Sequence, residues 1–324
     1  MKAITRETYG SAEVLRFSDV ELPSIGDDEV LIRVRAAGVG PEVWHLMTGQ
    51  PYLVRLFGFG LRRPKDPLIG QDVAGVVEKV GAHVSDVQVG DDVFGSSTGS
   101  LAEYARASAD KIVPKPQNVT FEQAAAVPVS GCTALQGLRD RGGIRAGQKV
   151  LIIGASGGVG TFAVQLAKAF GAEVTGVCST GKVDHVRSLG ADHVIDYSRQ
   201  DVGDSGERYD LILDTAGGRP LARLRRALTA HGTLVIVGGE GGGRWTGGFG
   251  RQIVRAPLLS VFVRQRLRPL TATTRREDLL TIAEMIEAGT LTPAVGRTFP
   301  LGDAADALRD ADEGHGRGKT VVRV

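Results

Sequence analysis

One stretch constrains this 324-residue chain more than any other: Val150-Leu-Ile-Ile-Gly154-Ala155-Ser156-Gly157-Gly158-Val159-Gly160, followed by helical spacing over Thr161–Phe170. A buried strand, a glycine turn and a helix start make half of a βαβ unit, and Glu173–Cys178 supplies the second strand. N–H groups at the helix start point outward and the helix dipole favours negative charge, so this turn suits a pyrophosphate.

The same texture continues on either side of the turn. Apolar strands are expected at Lys149–Gly154, Glu173–Cys178, His193–Asp196, Asp210–Asp214 and Thr233–Val237, with a sixth near Leu259–Val263. Helices are expected between them over Val159–Phe170, Lys182–Leu189 and Pro220–Ala230. Near-continuous apolar strands alternating with amphipathic helices predict an α/β fold with a parallel sheet covered on both faces. The first 115 or so residues differ: short alternating strands such as Glu29–Ala36 and Val73–Gly81, bounded by glycines, predict a β-rich unit. A helix over 277–288 and a tail made of a Gly302–Asp310 helix and a Lys319–Val324 strand complete the chain, and the tail is expected to return to the β-rich unit.

Composition excludes several classes. Lys and Arg number 39 against 37 Asp and Glu, so no basic face for nucleic acid is expected. The 45 glycines sit in short groups between apolar runs, which excludes collagen-like and disordered chains. Two cysteines, Cys132 and Cys178, rule out a disulfide framework and short-spaced thiolate zinc ligation. With no signal-like start and no apolar run long enough for a bilayer, the chain is expected to be cytoplasmic, without a membrane partner.

The end of the second strand discriminates between nicotinamide cofactors. An acid there would bind a ribose hydroxyl, whereas hydroxyls with a cation suit a 2′-phosphate. Cys178-Ser179-Thr180-Gly181-Lys182 has no acid before Asp184, which favours NADP(H). The alternative is that Lys182 merely starts a solvent-facing helix.

Across nearly all of its length the chain resembles the medium-chain dehydrogenase/reductases, specifically their zinc-free quinone oxidoreductase-like branch. The likeness rests on Met1-Lys-Ala-Ile4, Gly70-Gln-Asp-Val-Ala-Gly-Val-Val-Glu-Lys-Val-Gly81, Gly90-Asp-Asp-Val-Phe-Gly95, Ala102-Glu-Tyr104, Ala124-Ala-Ala-Val-Pro128 and Thr133-Ala134, leading into Gly154–Gly160. It implies a GroES-like β-rich catalytic domain (1–122, completed by 290–324) and a Rossmann doubly wound parallel sheet (123–289). It also implies a homodimer, with Leu258–Val263 at the edge strand. The implied activity is NADPH-dependent hydride transfer to a small hydrophobic quinone or α,β-unsaturated carbonyl substrate. A specialised secondary-metabolite reductase, an alcohol dehydrogenase-like enzyme on the same scaffold, or a non-catalytic NADPH sensor stays open.

Residue by residue, the resemblance puts Ala155, Ser156, Gly157, Gly158, Val159 and Gly160 at the pyrophosphate, and Ser179, Thr180, Lys182 and Tyr197 at the 2′-phosphate. Thr133, Ile236, Val237, Gly238 and Gly239 fall toward the nicotinamide. Tyr197 has a plainer reading as a surface strand-end residue, and Thr133 as a helix residue bonding its own backbone. Zinc-dependent relatives carry a His-Glu pair where this chain has Gln71-Asp72, so no metal site is expected. The branch usually has Asn-Pro-x-Asp in a loop facing the nicotinamide. Here Gly40-Pro41-Glu42-Val43 replaces it, so two polar groups are expected to be missing. His45 and Tyr52 remain as groups to orient or protonate a substrate, unless His45 simply packs beside Trp44. The apolar run 51–61 reads as a lid or as a loop packed on its own domain, and 241–250 as a second cleft loop.

Overall fold

The computed structural model describes residues 1–52, 55, 60–204, 206–237, 255–314 and 316–324. They form two compact units, Met1–Cys132 with Thr273–Val324, and Thr133–Ala272.

In the first unit, β1 (Lys2–Thr5) and β2 (Arg16–Asp19) pair antiparallel. The long β3 (Glu29–Val39) leads through Gly40 into α1 (Pro41–Thr48), where proline at the first helical position presets φ. Strands β4 (Asp72–Val80), β5 (Asp92–Ser96), β6 (Tyr104–Ser108) and β7 (Ile112–Pro114) follow. A capping box at Thr120 and Gln123 starts α2 (Phe121–Ala125), and α3 (Pro128–Gln136) contains the boundary between the units.

The second unit is a six-stranded sheet. It runs through β8 (Lys149–Ile153), α4 (Gly158–Ala169), β9 (Glu173–Cys178), α5 (Val183–Ser188), β10 (His193–Asp196) and β11 (Tyr209–Asp214). Next come α6 (Leu221–Arg226), β12 (Leu228–Ile236) and β13 (Arg266–Pro269). Every pairing is parallel, in the order β10-β9-β8-β11-β12-β13. This is the doubly wound arrangement, and the order reverses between β8 and β11, where such sheets open their ligand crevice. Leu151, Ile153, Ile212, Leu234 and Ile236 pack in its core.

The chain then re-enters the first unit with α7 (Arg276–Glu287), β14 (Val295–Pro300), α8 (Ala304–Glu313) and β15 (Lys319–Arg323). Strand β15 lies between β14 and β3, parallel to one and antiparallel to the other. The expected return of the tail is what the sheet shows. Val43 and Met47 of α1 pack with Ile4, Ile69, Leu308 and Val322 in one core of this unit.

Two expected elements are corrected. The helix expected over Pro220–Ala230 stops at Arg226, because residues from Leu228 onward join β12 and pair Tyr209 with Leu228. The sixth strand is not Leu259–Val263: residues 255–260 are helical, and the strand is Arg266–Pro269. Among the described residues this edge strand pairs with β12 alone, so it alternates buried Leu267 with the flanking Arg266 and Arg268 and lacks the continuous apolar run of inner strands. The units also divide at other places than 122 and 290. Helix α7 is tied to the first unit through Arg276 to Asp86 at 3.3 Å, and through Asn118 donating to the Ile286 carbonyl at 2.8 Å.

Candidate functional site

The glycine turn after β8 is built from backbone. Gly154 adopts φ +81°, and its N–H and that of Ala155 donate to the Val177 carbonyl of β9 at 3.2 and 3.0 Å. Gly157 donates back to the Gly154 carbonyl at 3.0 Å, closing the turn. A Cβ on Gly160 would collide with the Gly154 carbonyl oxygen, so only glycine lets α4 start this close to the strand. The first intrahelical bond runs from the Thr161 N–H to the Gly157 carbonyl, leaving the amides of Gly158, Val159 and Gly160 without an acceptor among the described residues. Ala155 and Ser156 are buried, while Gly157, Gly158 and Val159 are half-exposed. The turn therefore presents a row of amide donors without an acceptor among the described residues, a fit for an anionic diphosphate.

The neighbouring strands end beside one another. Ser179 and the short turn Thr180–Lys182 follow β9, and Tyr197 follows β10, its N–H donating to the Cys178 carbonyl at 3.1 Å. Tyr197 is exposed, with the Arg219 guanidinium 6.0 Å from its ring. Asp196 went unnoticed in the sequence because it lies on the third strand. The Thr180 hydroxyl donates to its carboxylate at 2.6 Å, the Ser198 N–H at 2.9 Å, and Arg199 lies 3.5 Å away. The Thr180 bond, chiefly, holds the Asp196 carboxyl below its ordinary range. Its charge is thus engaged inside the turn, and Lys182, Arg199 and Arg219 are cations near this end of the sheet.

At the end of β11, Asp214 is buried, with one carboxylate oxygen accepting the Gly217 N–H at 3.0 Å and burial pushing its carboxyl up. Thr215 donates to the Ile153 carbonyl at 2.7 Å, and its hydroxyl occupies the space that a Cβ on Gly154 would need. Ile236 and Thr133 are buried in this unit, and the Val237 N–H donates to the Asp214 carbonyl at 2.9 Å. Gly238, Gly239 and the loop 241–250 lie outside the described residues, as does most of the 51–61 run.

In the first unit, α1 carries both sequence candidates and a group that the sequence reading passed over. His45 packs edge-on against Trp44 and its Nδ1 lies 2.7 Å from the Gln50 carbonyl. A carbonyl only accepts, so Nδ1 holds the proton and Nε2 of the neutral ring is left as an acceptor. Tyr52 stacks with Arg55, which lies between the rings of Tyr52 and Tyr9 at 4.6 and 4.3 Å. Val43 is fully buried in the apolar core. The polar replacement is one position earlier. Glu42 Oε1 accepts from Lys319 Nζ at 2.7 Å, and the same Nζ lies 3.0 Å from Asp72 Oδ2. Asp72 also accepts the Val129 N–H at 3.0 Å. Burial pushes the Asp72 carboxyl up to about 6 against the pull of Lys319. Burial pulls the ammonium of Lys319 down, but the two carboxylates outweigh it and hold it above its ordinary value. Glu42 and Asp72 lie in segments that the sequence reading did single out, but their meeting at Lys319 spans 277 and 247 positions and has no short-range signal. Among the described residues no group of three His, Cys, Asp or Glu side chains is placed to hold a metal ion, and no helix is long and apolar enough to cross a membrane.

Comparison with known proteins bears on the whole chain. Residues 26–117 match the alcohol dehydrogenase GroES-like domain, and residues 189–322 the zinc-binding dehydrogenase family. The chain is 35% identical to the mouse mitochondrial NAD(P)H oxidoreductase RTN4IP1, over 100% of its own length and 89% of the relative's. It is 32% identical to the chloroplast envelope quinone oxidoreductase homolog of Arabidopsis thaliana, over 99% of this chain and 98% of that one. The structure of Escherichia coli quinone oxidoreductase complexed with NADPH superposes with a TM-score of 0.86 at 25% identity, covering 100% of both chains. Together with the GroES-like unit and the parallel sheet, these likenesses establish that the chain belongs to the medium-chain dehydrogenase/reductase superfamily, in its quinone oxidoreductase-like branch.

Proposed function

We propose that this protein is an oxidoreductase that reduces a quinone or an α,β-unsaturated carbonyl compound with NADPH and without a zinc ion. The observation that carries the reading is the cradle of free amides at Gly158, Val159 and Gly160, beside a cluster of hydroxyls and cations at the ends of β9 and β10. NADP(H) is the cofactor, in line with the NADPH held by the E. coli relative. When bound, the reduced nicotinamide supplies a hydride.

Each part of the chain then has a task. The α4 amides, with Ala155, Ser156 and Gly157 shaping the turn, receive the diphosphate. Ser179, Thr180, Lys182 and Tyr197 take the 2′-phosphate. Thr133, Ile236, Val237, Gly238 and Gly239 border the nicotinamide. Tyr52 offers a hydroxyl donor to a substrate carbonyl, whereas His45, with its proton committed to Gln50, donates from Nε2 only when protonated. Gln71 stands where zinc-dependent relatives carry an imidazole, which supports chemistry without a Lewis acid.

Loss of NADPH absorbance against a panel of quinones, 2-alkenals and enones, with a chelator present, tests the reading. Turnover that survives the chelator is expected; NADPH binding without turnover on any acceptor would point to a sensor. Lys182→Ala is expected to raise the NADPH dissociation constant several-fold and leave NADH nearly unchanged, in keeping with about 1 kcal/mol for one exposed charge-assisted contact. Equal losses for both cofactors would remove Lys182 from the 2′-phosphate site.

A further inference from the structure

The first unit holds a buried cation that its own carboxylates do not meet. Arg6 follows β1, its backbone N–H donates to the Pro67 carbonyl at 2.9 Å, and the residue is only 4% exposed. Its Nε and Nη1 are buried without a hydrogen-bond partner. Arginine is almost never buried unless paired, because a charge taken out of water needs an opposite charge in return. Lys319, buried to a similar degree, has two carboxylates at 2.7 and 3.0 Å. Asp66 is the carboxylate whose field reaches Arg6, but it accepts the Leu68 N–H at 2.9 Å and forms no ion pair with Arg6 among the described residues.

A second guanidinium stands in the same place. The Tyr9 ring lies 5.7 Å from Arg6 Cζ and 4.3 Å from Arg55 Cζ, and the Tyr52 ring lies 4.6 Å from Arg55. Arg55 is anchored at the end of α1, where its Nε and Nη2 donate to the Gly49 and Thr48 carbonyls at 2.9 and 3.2 Å. Gly49, at φ +60°, makes room for this: a Cβ there would lie 2.6 Å from the Tyr9 ring and 2.7 Å from Arg55 Nε. The Tyr9 hydroxyl is tied in turn to the Gly60 carbonyl at 2.8 Å.

We propose that Arg6, Arg55, Tyr9 and Tyr52 form a binding site for a small organic carboxylate, which supplies the counter-charge for Arg6. The lining selects this class. Guanidinium N–H groups make charge-assisted bonds to a carboxylate. Tyrosine rings add nothing for an inorganic ion, but they pack a short apolar stem. Arg6 is buried whereas Arg55, Tyr9 and Tyr52 are half-exposed, so the charged end of the ligand goes inward and its stem lies along the rings. The site belongs to the first unit alone and needs neither NADPH nor an electron acceptor.

Saturation-transfer NMR of the whole protein with sodium propionate, at an ionic strength held constant with sodium chloride, tests it. Propionate should bind saturably without NADPH. Arg6→Met should weaken binding by about tenfold or more, the size of one charged hydrogen bond, and Arg55→Met by less. No saturable binding to the wild-type protein, or equal binding to Arg6→Met, overturns the site. Phosphate that displaces propionate as well as butyrate does overturns the preference for an organic carboxylate. Thermal unfolding gives an independent reading. In chloride alone Arg6→Met should melt no lower than the wild type, since it removes a buried charge without breaking a pair. Propionate should then raise the midpoint of the wild type and leave that of the variant unchanged. A variant that melts well below the wild type in chloride would assign the counter-charge to Asp66 and overturn the proposal.

Discussion

The two units build their polar sites from different materials. In the Thr133–Ala272 unit the donors belong to the backbone, and glycines at 154 and 160 are there because anything larger would stand in the way. In the other unit the polar centre is three side chains, Glu42, Asp72 and Lys319, brought from α1, β4 and β15 into a buried cluster of one cation and two anions. A backbone site depends on shape and tolerates any side chain that stays out of it. A buried ion cluster depends on charge balance, so each member is needed by the others.

Removing the cation should break that balance most severely. Lys319→Met leaves a fully buried Asp72 without its ammonium, and loss of one partner of a buried pair costs about 3–5 kcal/mol. Urea unfolding should show that loss in the first unit, with the NADPH dissociation constant much less affected. A loss near zero would mean that the cluster contributes nothing net.

Overpacking should injure the backbone site by less. Gly160→Ala is expected to cost about 1–3 kcal/mol and to weaken NADPH binding together with stability, since the turn must open to admit the methyl. Gly157→Ala sharpens the contrast. A Cβ there would sit 3.5 Å from the Gly154 carbonyl, an ordinary contact, so a loss below about 1 kcal/mol is expected, from the helix cap alone. Equal effects of the two alanines on NADPH binding would show that close approach is not what residue 160 supplies.

The cluster should also leave a pH signature. The Asp72 carboxyl binds its proton more tightly in the folded chain, at about 6, than its ordinary value of 3.8. Its contribution to stability is therefore fully present below about pH 4 and declines as the pH rises through about 6. Unfolding free energies measured from pH 4 to 7 should show this downward contribution, and Asp72→Asn should remove it. An unchanged slope in the variant would assign the pH dependence elsewhere.

The same contrast explains what the sequence made legible. The turn from Gly154 to Gly160 could be read because strand, turn and helix start are contiguous, and backbone geometry leaves its mark in glycine spacing. The return of the tail was readable too, because Lys319–Val324 had nowhere else to pair. Strand β13 was missed because an edge strand needs only one apolar face, so Leu259–Val263 looked more strand-like than Arg266–Pro269. The loss of polar groups at residues 40 and 43 was only half of the event. The compensating carboxylate at 42 gains its meaning from a lysine 277 positions away. Asp196 was likewise hidden, since its bond to Thr180 links the turn after β9 to the end of β10 across the 16 residues that include α5.

Strand β15 has a consequence for the order in which the molecule is made. A ribosome releases β3, β4 and the residues of α1 early, but the strand that fits between β14 and β3 emerges nearly three hundred residues later. Until then Asp72 has no ammonium to meet and β3 keeps part of one edge open. The Thr133–Ala272 sheet has all six of its strands well before that point. During synthesis the nucleotide-binding half can close first, and the half that carries Glu42 waits for the arrival of Lys319.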